Sequence, residues 1–347
     1  MKKDEPPVPS SHGRVLPILL FSVLALGFLV VVASDENKVL DLLAHVDWAY
    51  LIAAVAGTYG SMFAITFSYR NLFKVTGHAV SFRNLFGITL VCNAFNNVLS
   101  SGGLSGTAVR CLQLKRESVP NSVTLAVSLA QGMLSNLLMA ILCAFVAFPL
   151  WQHAGMDGFP VGRVVCLGIL PLIGLALVQG GGFFVPLFRQ FLFRAMEGLL
   201  DRLGRVWKRA VSWRAGVEGI NQKLDQCAQL LGRERPALAR SFLWIGLDWG
   251  CYLFVLAACF KAVGQPLSPT VLMIAFAVVF LTTEIGITPS GLGVSEGVVA
   301  WVLFRRGISV EHTMAAMLLF RVTYFFLPVL TALVFQLDRV RDGWRRS

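Results

Sequence analysis

The chain has 347 residues, of which 56% are hydrophobic and only 14% are charged, and its formal net charge is +11. Soluble domains carry about 25% charged residues, so this composition excludes an ordinary soluble enzyme. We treat residues 1–347 as a single integral membrane domain, because the longest polar segment, 188–240, is short for a soluble domain. The basic residues lie between apolar segments, which argues for membrane topology and anionic lipid rather than nucleic acid.

Six apolar runs have the length of transmembrane helices, which need about 20 residues each. In chain order they are 15–33, 49–69, 121–147, 164–187, 241–263 and 311–336. They predict an all-α polytopic membrane protein. Residues 1–14 are polar, and no small-residue cleavage site follows the first run, so we expect that run to be a retained helix rather than a signal peptide.

Two further apolar segments, about 85–114 and 271–304, are broken near their middle by glycine, serine and proline. Neither arm of either segment is comfortably long enough to cross a bilayer. An interrupted backbone is stable at membrane depth only when it is buried in protein or lines a water-filled cavity. We therefore predict two broken re-entrant hairpins that build a site near the bilayer midplane.

Loop charge orients the predicted helices, because cytoplasmic loops carry an excess of lysine and arginine. Basic residues concentrate in five segments, namely the N-terminus, 70–83, 110–116, 188–240 and the C-terminal tail. This distribution places both termini in the cytoplasm. It also lets the first hairpin enter from the inside and the second from the outside.

The two halves of the chain, 15–150 and 164–336, then each hold three spans and one hairpin in opposite orientation. Short sequence matches at spacings of 188 to 191 residues support a repeat, for example Gly103-Leu104 with Gly291-Leu292. Inverted repeats with discontinuous helices at their interface are typical of transporters, in which helix N-termini face anionic substrate groups.

The segment 188–240 interleaves arginine and lysine with phenylalanine, leucine and tryptophan. This pattern fits a basic amphipathic helix on the anionic cytoplasmic leaflet. A solvated linker with cytoplasmic positive charge explains it equally well.

Ionisable residues are few within the apolar segments, and they are Arg110, Asp248, Glu284, Glu296 and Arg321. A charge at the bilayer centre costs at least about 2.5–3.5 kcal/mol, so these residues require partners or a wet cavity. We predict that Arg110 or Arg321 holds a phosphate, and that Asp248, Glu284 or Glu296 balances charge or accepts a proton. The alternative for Arg321 is an ion pair that docks the last helix, and the alternative for Asp248 is also helix docking.

Other residues of the predicted substrate site lie around the two breaks and on the third span. They are Asn96, Asn97, Gly103, Ser105, Gln131, Pro289, Gly291 and Gly293. The asparagines can cap freed backbone or contact a headgroup. Gln131 shares one helical face with Thr124, Ser128 and Ser135, a face that lines a cavity or packs against another helix.

Several kinds of catalysis lack their required residues. Gly-x-Ser-Gly at 103–106 and Gly-x-Ser-x-Gly at 293–297 resemble hydrolase motifs, but one has no intramembrane histidine and the other no preceding strand. The seven cysteines form no Cys-x-x-Cys pair, and no sequence cluster suggests a metal or an ATP loop. We predict no catalytic residue, no metal and no cofactor.

The motifs at 96–110 and 288–297, with Arg321 in the last span, resemble the lysylphosphatidylglycerol synthase transmembrane family. This family is the flippase-like half of the multiple peptide resistance factors and also occurs as stand-alone proteins. The resemblance implies a bacterial inner-membrane protein that handles lipids with anionic or modified headgroups, with Arg110, Glu296 and Arg321 at its polar positions. The first motif departs from the family at Thr107, where a carboxylate is common.

The resistance factors also carry a soluble aminoacyl-transfer domain after the membrane region, whereas this chain ends at Ser347. We therefore expect a transporter rather than an enzyme: a lipid translocase for a phospholipid or polyprenyl-phosphate lipid, with a separate lipid-modifying transferase as a candidate partner. The alternative is a membrane-embedded enzyme or accessory subunit in glycosyl or aminoacyl transfer. A third interpretation is a scaffold that recruits a partner through 188–240.

Overall fold

The computed structural model describes residues 36–99, 104–152, 225–284, 288 and 291–346, together with scattered residues between 170 and 194. Within these residues every regular element is helical and no strand occurs, which confirms the predicted all-α class. Four helical segments are long and apolar enough to cross a membrane, and they agree with four of the predicted spans. The predicted span 15–33 and much of 164–187 lie outside the described residues.

The helices follow one another with short connections. In chain order they are α1 (Glu36–Ala44), α2 (Trp48–Val75), α3 (Phe82–Leu99), α4 (Leu104–Lys115), α5 (Asn121–Gln152), α6 (225–233), α7 (Arg235–Ala262), α8 (Pro269–Glu284), α9 (Val294–Phe304), α10 (Val310–Phe320), a π-helix (Arg321–Phe326) and α11 (Leu327–Arg346). The four candidate membrane spans are α2, α5, α7, and the run from α10 through the π-helix into α11.

Two helices of equal length, α2 and α7, form the central pair of the fold. Each has 28 residues. They run antiparallel, because the Asp47 amide at the start of α2 donates to the Ala262 carbonyl at the end of α7, at 2.9 Å. Near the opposite ends, the Asn71 side chain donates to the Ala237 carbonyl at 2.6 Å.

Glycine allows the close approach of this pair. A Cβ atom built on Gly57 would lie 2.8 Å from the Phe254 ring and 2.9 Å from Val255. Small residues at such contacts let helix backbones pack tightly where lipid supplies no hydrophobic driving force between helices.

The two predicted broken segments form two pairs of short helices. In the first pair the chain reverses between α3 and α4, because the Gly106 amide of α4 donates to Asn96 Oδ1 of α3 at 2.7 Å. In the second pair Gly291, just before α9, lies against α8: a Cβ atom at this position would be 3.0 Å from Thr283 Cα. Each break therefore joins two helices that pack on each other.

Two helix ends share one turn geometry and one sequence pattern. Phe-Lys-x-x-Gly occurs at 73–77, where α2 ends, and at 260–264, where α7 ends. Gly77 has φ +80° and Gly264 has φ +76°, and these glycines stand 187 residues apart. In both turns the glycine amide donates to the lysine carbonyl, and the following amide donates to the phenylalanine carbonyl. A left-handed glycine is a common way to end a helix.

A second pair of turns connects α4 to α5 and α9 to α10. The Val119 amide donates to the Leu114 carbonyl, and the Ile308 amide donates to the Leu303 carbonyl, both at 3.1 Å. These two bonds are 189 residues apart in the chain. The helix contacts correspond as well. The contact between α4 and α5 has its counterpart in the contact between α9 and α10. The contact between α3 and α11 has its counterpart in the contact between α8 and α5.

The last span contains a π-helix that ends two residues before Pro328. Pro328 has no amide hydrogen to donate to the carbonyl four residues before it, which weakens the α-helical ladder at that point. The Leu327 amide instead donates to the carbonyl of Val322, five residues back. Arg321 and Tyr324 belong to this π-helix, and both are buried.

Large apolar side chains cover the outer faces of the long helices. Examples are Ile52, Phe145, Leu243 and Leu330, each more than half exposed. Such a surface on every long helix would be unfavourable in water and is the surface that lipid chains require.

Candidate functional site

Buried polar side chains gather at three places between the helices. The first is the Arg110 cluster, which consists of Arg110, Tyr69, Ser128, Gln131 and Ser68. Arg110 is on α4 and is only 4% exposed. Its guanidinium carbon lies 3.7 Å from the centre of the Tyr69 ring, and one terminal nitrogen donates to Ser128 Oγ at 3.4 Å.

No carboxylate in the part of the chain that the structure describes balances the charge of Arg110. Among the described side chains, none of the aspartates or glutamates lies within ion-pair distance of it, and its buried Nε has no hydrogen-bond acceptor. Beside it, Gln131 is 3% exposed; its Oε1 accepts from Ser68 at 2.6 Å, whereas its buried Nε2 has no acceptor. The cluster thus offers unfilled donors and a full positive charge.

The second place is the ion pair of Glu296 and Arg321, which is fully enclosed. Arg321 Nε donates to Glu296 Oε1 at 2.5 Å, and both side chains are at most 1% exposed. The guanidinium also donates to Ser295 Oγ at 2.5 Å and lies 4.4 Å from the Phe325 ring centre.

The second oxygen of Glu296 caps helix α9. Oε2 accepts from the Gly293 amide at 2.8 Å and from Ser295 Oγ at 3.0 Å. Gly293 has φ +82°, a left-handed conformation that glycine adopts without strain. Because both oxygens of Glu296 are occupied, this pair joins α9 to the last span and its charges cancel.

The third place is the Asp248 triad, formed by Asp248 of α7, Ser61 of α2 and Tyr324 of the π-helix. Ser61 Oγ donates to Asp248 Oδ1 at 2.5 Å and lies 2.9 Å from the Tyr324 hydroxyl. Asp248 is 8% exposed, and in the described part of the chain it forms no ion pair.

Residues predicted from the first break stabilise the joint between α3 and α4. Asn96 Oδ1 accepts from the Gly106 amide and, at 3.1 Å, from Ser105 Oγ. Ser105 also approaches the Phe95 carbonyl at 3.2 Å. Asn97 is half-buried near the end of α3.

The other predicted residues fall at the second break. Gly291 and Gly293 adopt positive φ angles of 66° and 82°. Gly103 and Pro289 lie outside the described residues, as does the side chain of Glu284 at the end of α8. Most of the predicted amphipathic segment 188–240 is also outside, apart from scattered residues to 194 and the stretch that contains α6 and the start of α7.

The sequence prediction did not include Ser61, Ser68, Tyr69 or Tyr324. Tyr324 follows Arg321 by three residues, so helical periodicity alone would have placed the two on one side of the last span. Hydroxyl groups are common in membrane helices, however, and the sequence does not tell which of them meets Asp248.

The long apolar helices, their lipid-facing surfaces and the buried charges define a multi-pass α-helical membrane protein. The family model described as the lysylphosphatidylglycerol synthase transmembrane region matches residues 15–332, and the chain belongs to this family. The chain is similar to a UPF0104 membrane protein of Methanothermobacter thermautotrophicus, with 24% identity over 278 residues, which cover 78% of this chain and 77% of the relative.

Proposed function

We propose that the protein is a lipid translocase that moves an anionic or isoprenoid-phosphate lipid between the leaflets of a bacterial inner membrane. The observation that carries the proposal is the buried guanidinium of Arg110, which has no carboxylate partner among the described side chains. A cation in this environment is costly unless an anion accompanies it for part of its working cycle. A lipid phosphate supplies such an anion, and arginine binds phosphate through paired donors.

The contrast with Arg321 selects Arg110 as the phosphate ligand. Arg321 already donates to Glu296 and Ser295, and a phosphate there would have to displace a short ion pair. Arg110 Nε and the neighbouring Gln131 Nε2 have no hydrogen-bond acceptor among the residues that the structure describes. These two groups supply charge and hydrogen bonds to a headgroup without breaking an existing strong interaction.

An inverted repeat would let the site open to either leaflet. The equivalent turns at Gly77 and Gly264, the equal lengths of α2 and α7 and the matching helix contacts support two related sets of helices. Because α2 and α7 run antiparallel, the two sets have opposite orientations, as in many secondary transporters. In this proposal the helix pairs α3–α4 and α8–α9 are re-entrant hairpins, and both chain termini are cytoplasmic.

The repeats differ where the charges lie. With the 189-residue spacing of the second pair of turns, Thr107 corresponds to Glu296, and Val299 corresponds to Arg110. One set therefore carries a closed ion pair, and the other carries Arg110, which has no carboxylate partner within the described ranges. We assign the ion pair to structure and the Arg110 cluster to the lipid phosphate.

Lipid movement in proteoliposomes tests the proposal. Headgroup-labelled phosphatidylglycerol and a labelled polyprenyl phosphate are compared with a labelled uncharged glycolipid. We expect wild-type protein to move at least one anionic lipid and not the glycolipid. Arg110→Gln should lower the rate at least tenfold, since the lost charged hydrogen bonds are worth about 1.5–3 kcal/mol each.

Arg306→Gln is the matched control, because Arg306 is an exposed arginine of the α9–α10 turn, and it should keep the wild-type rate. Equal movement of charged and uncharged lipids would contradict a phosphate site. Tight binding of anionic lipid without any movement would instead favour a membrane-embedded enzyme or accessory subunit.

A further inference from the structure

The Asp248 triad lies halfway along the central helix pair, α2 and α7. Ser61 is the fourteenth residue of α2, and Asp248 is the fourteenth residue of α7. The two positions are 187 residues apart, the same spacing that separates the equivalent turns at Gly77 and Gly264. In an inverted repeat, residues that are equivalent and also touch each other must lie on the axis that relates the two halves.

Contacts on both sides of the triad agree with this placement. Ser68 of α2 donates to the Ser241 carbonyl of α7 at 3.3 Å, about two helical turns beyond the triad in α2 and two turns before it in α7. On the other side, Gly57 packs against the Phe254 ring. The crossing of α2 and α7 is therefore regular, and the carboxyl group stands at its midpoint.

The surroundings of Asp248 favour a neutral carboxyl group. The titratable groups around the triad are Tyr324 from the π-helix, Tyr69 from α2, and Cys251 and Tyr252 from the same helix as Asp248. All four are neutral in their ordinary protonation states. In the described part of the chain no lysine or arginine contacts the carboxyl group. A negative charge there is solvated directly by the Ser61 hydroxyl, which in turn contacts the Tyr324 hydroxyl.

The π-helix connects the triad to the second pair of short helices. Tyr324 contributes its hydroxyl to the triad, and Arg321, three residues earlier, is bound to Glu296 of α9. π-helical turns occur frequently at functional sites, because their hydrogen-bond ladder has more than one arrangement. A change of register here would move the Tyr324 hydroxyl and the Arg321 ion pair together.

We propose that Asp248 is a proton-binding site that couples the proposed movement of an anionic lipid between leaflets to a transmembrane proton gradient. The carboxylate takes a proton from water on one side and holds it in an O–H bond. That bond breaks when the halves of the molecule rearrange, and the proton passes to water on the other side. No electron moves, and one proton travelling with a singly charged lipid anion transfers no net charge. The assignment rests on the proposed translocase.

Infrared difference spectroscopy tests the proton site without any transport. Purified protein is titrated with acid and base, and the carbonyl stretch of protonated carboxyl groups is recorded. We expect one buried carboxyl band that disappears in Asp248→Asn and shifts in Ser61→Ala, whose loss removes a hydrogen bond to Oδ1. Asp41→Asn, which alters an exposed carboxyl on α1, should leave the band in place. A band that persists in Asp248→Asn would overturn the proposal.

Transport then tests the coupling. With a gradient of one pH unit, one proton per lipid sustains up to about a tenfold difference in lipid concentration between leaflets. We expect this difference in wild-type proteoliposomes and its loss in Asp248→Asn. A variant that still accumulates lipid in response to the gradient would overturn the coupling while leaving the translocase intact. A wild-type protein that moves no lipid would overturn the proposed function, and the infrared result would still decide the proton site.

Discussion

Arg110 and Arg321 are both buried guanidinium groups, yet the structure predicts opposite effects of removing them. Methionine is a suitable replacement, because it is unbranched and fills a similar path in the interior. Arg110→Met removes a charge that has no carboxylate partner among the described side chains. Arg321→Met removes one half of an enclosed ion pair and leaves Glu296 charged and buried.

The expected magnitudes follow from the contacts. An unpaired charge within the membrane costs about 2.5–3.5 kcal/mol, and the contact of Arg110 with the Tyr69 ring returns up to about 2 kcal/mol. Its 3.4 Å hydrogen bond to Ser128 is long and adds little. Arg110→Met should therefore leave the unfolding free energy unchanged or raise it by about 1 kcal/mol. Breaking a buried ion pair costs about 3–5 kcal/mol, so Arg321→Met should lower the unfolding free energy by that amount.

Equilibrium unfolding in detergent micelles measures both variants, with Arg306→Met as the exposed control. The unfolding free energies of the two buried variants should differ by about 3–6 kcal/mol. If Arg110→Met is as destabilising as Arg321→Met, then Arg110 has a structural role, and the reasoning that leaves its charge available to a lipid phosphate is wrong.

Two further predictions concern the ion pair and the central helices. The double variant Glu296→Gln/Arg321→Met should be more stable, by about 1–3 kcal/mol, than the sum of the two single losses implies, because it leaves no buried charge behind. Additive losses in the same unfolding assay would show that the two side chains are not coupled. Gly57→Ala should lower the unfolding free energy by about 1–3 kcal/mol, because the added Cβ atom pushes α2 away from α7. Gly250→Ala is the control: a Cβ atom there has no neighbour within 4 Å among the described residues, so this variant should be neutral or slightly stabilising. Equal effects of the two alanines would contradict the close approach at Gly57.

Hydropathy was sufficient to predict the helical class and four of the candidate spans, because long apolar runs have few alternatives in a membrane. The breaks near Gly106 and Gly291 were also predictable, since glycine and proline interrupt helices wherever they occur. The π-helix before Pro328 was not predicted. Its proline was visible, but a proline can kink a helix in several ways, and hydropathy does not choose among them.

The partners of the buried polar side chains were harder to predict than the positions of those side chains in the sequence. The buried charges stood out in the sequence, and pairing of Arg321 with a carboxylate was one of the two interpretations it offered. The sequence did not select Glu296 for that pair, nor Ser61 and Tyr324 for Asp248, because hydropathy carries no information about which helices touch. The Phe-Lys-x-x-Gly pattern at 73–77 and 260–264 is visible in the sequence and marks two similar helix ends more specifically than the short matches at spacings of 188 to 191 do.

The proposed function depends on a lipid phosphate bound to Arg110, and the distance between phosphorus and the guanidinium can be measured. Protein labelled with nitrogen-15 in its arginine side chains is reconstituted in anionic lipid, and solid-state nuclear magnetic resonance detects guanidinium nitrogens close to phosphorus. We expect a close contact between phosphorus and a buried guanidinium, which is lost in Arg110→Gln and retained in Arg306→Gln. A phosphorus contact of a buried guanidinium that survives Arg110→Gln, or one that disappears only in Arg321→Met, would rule out this site.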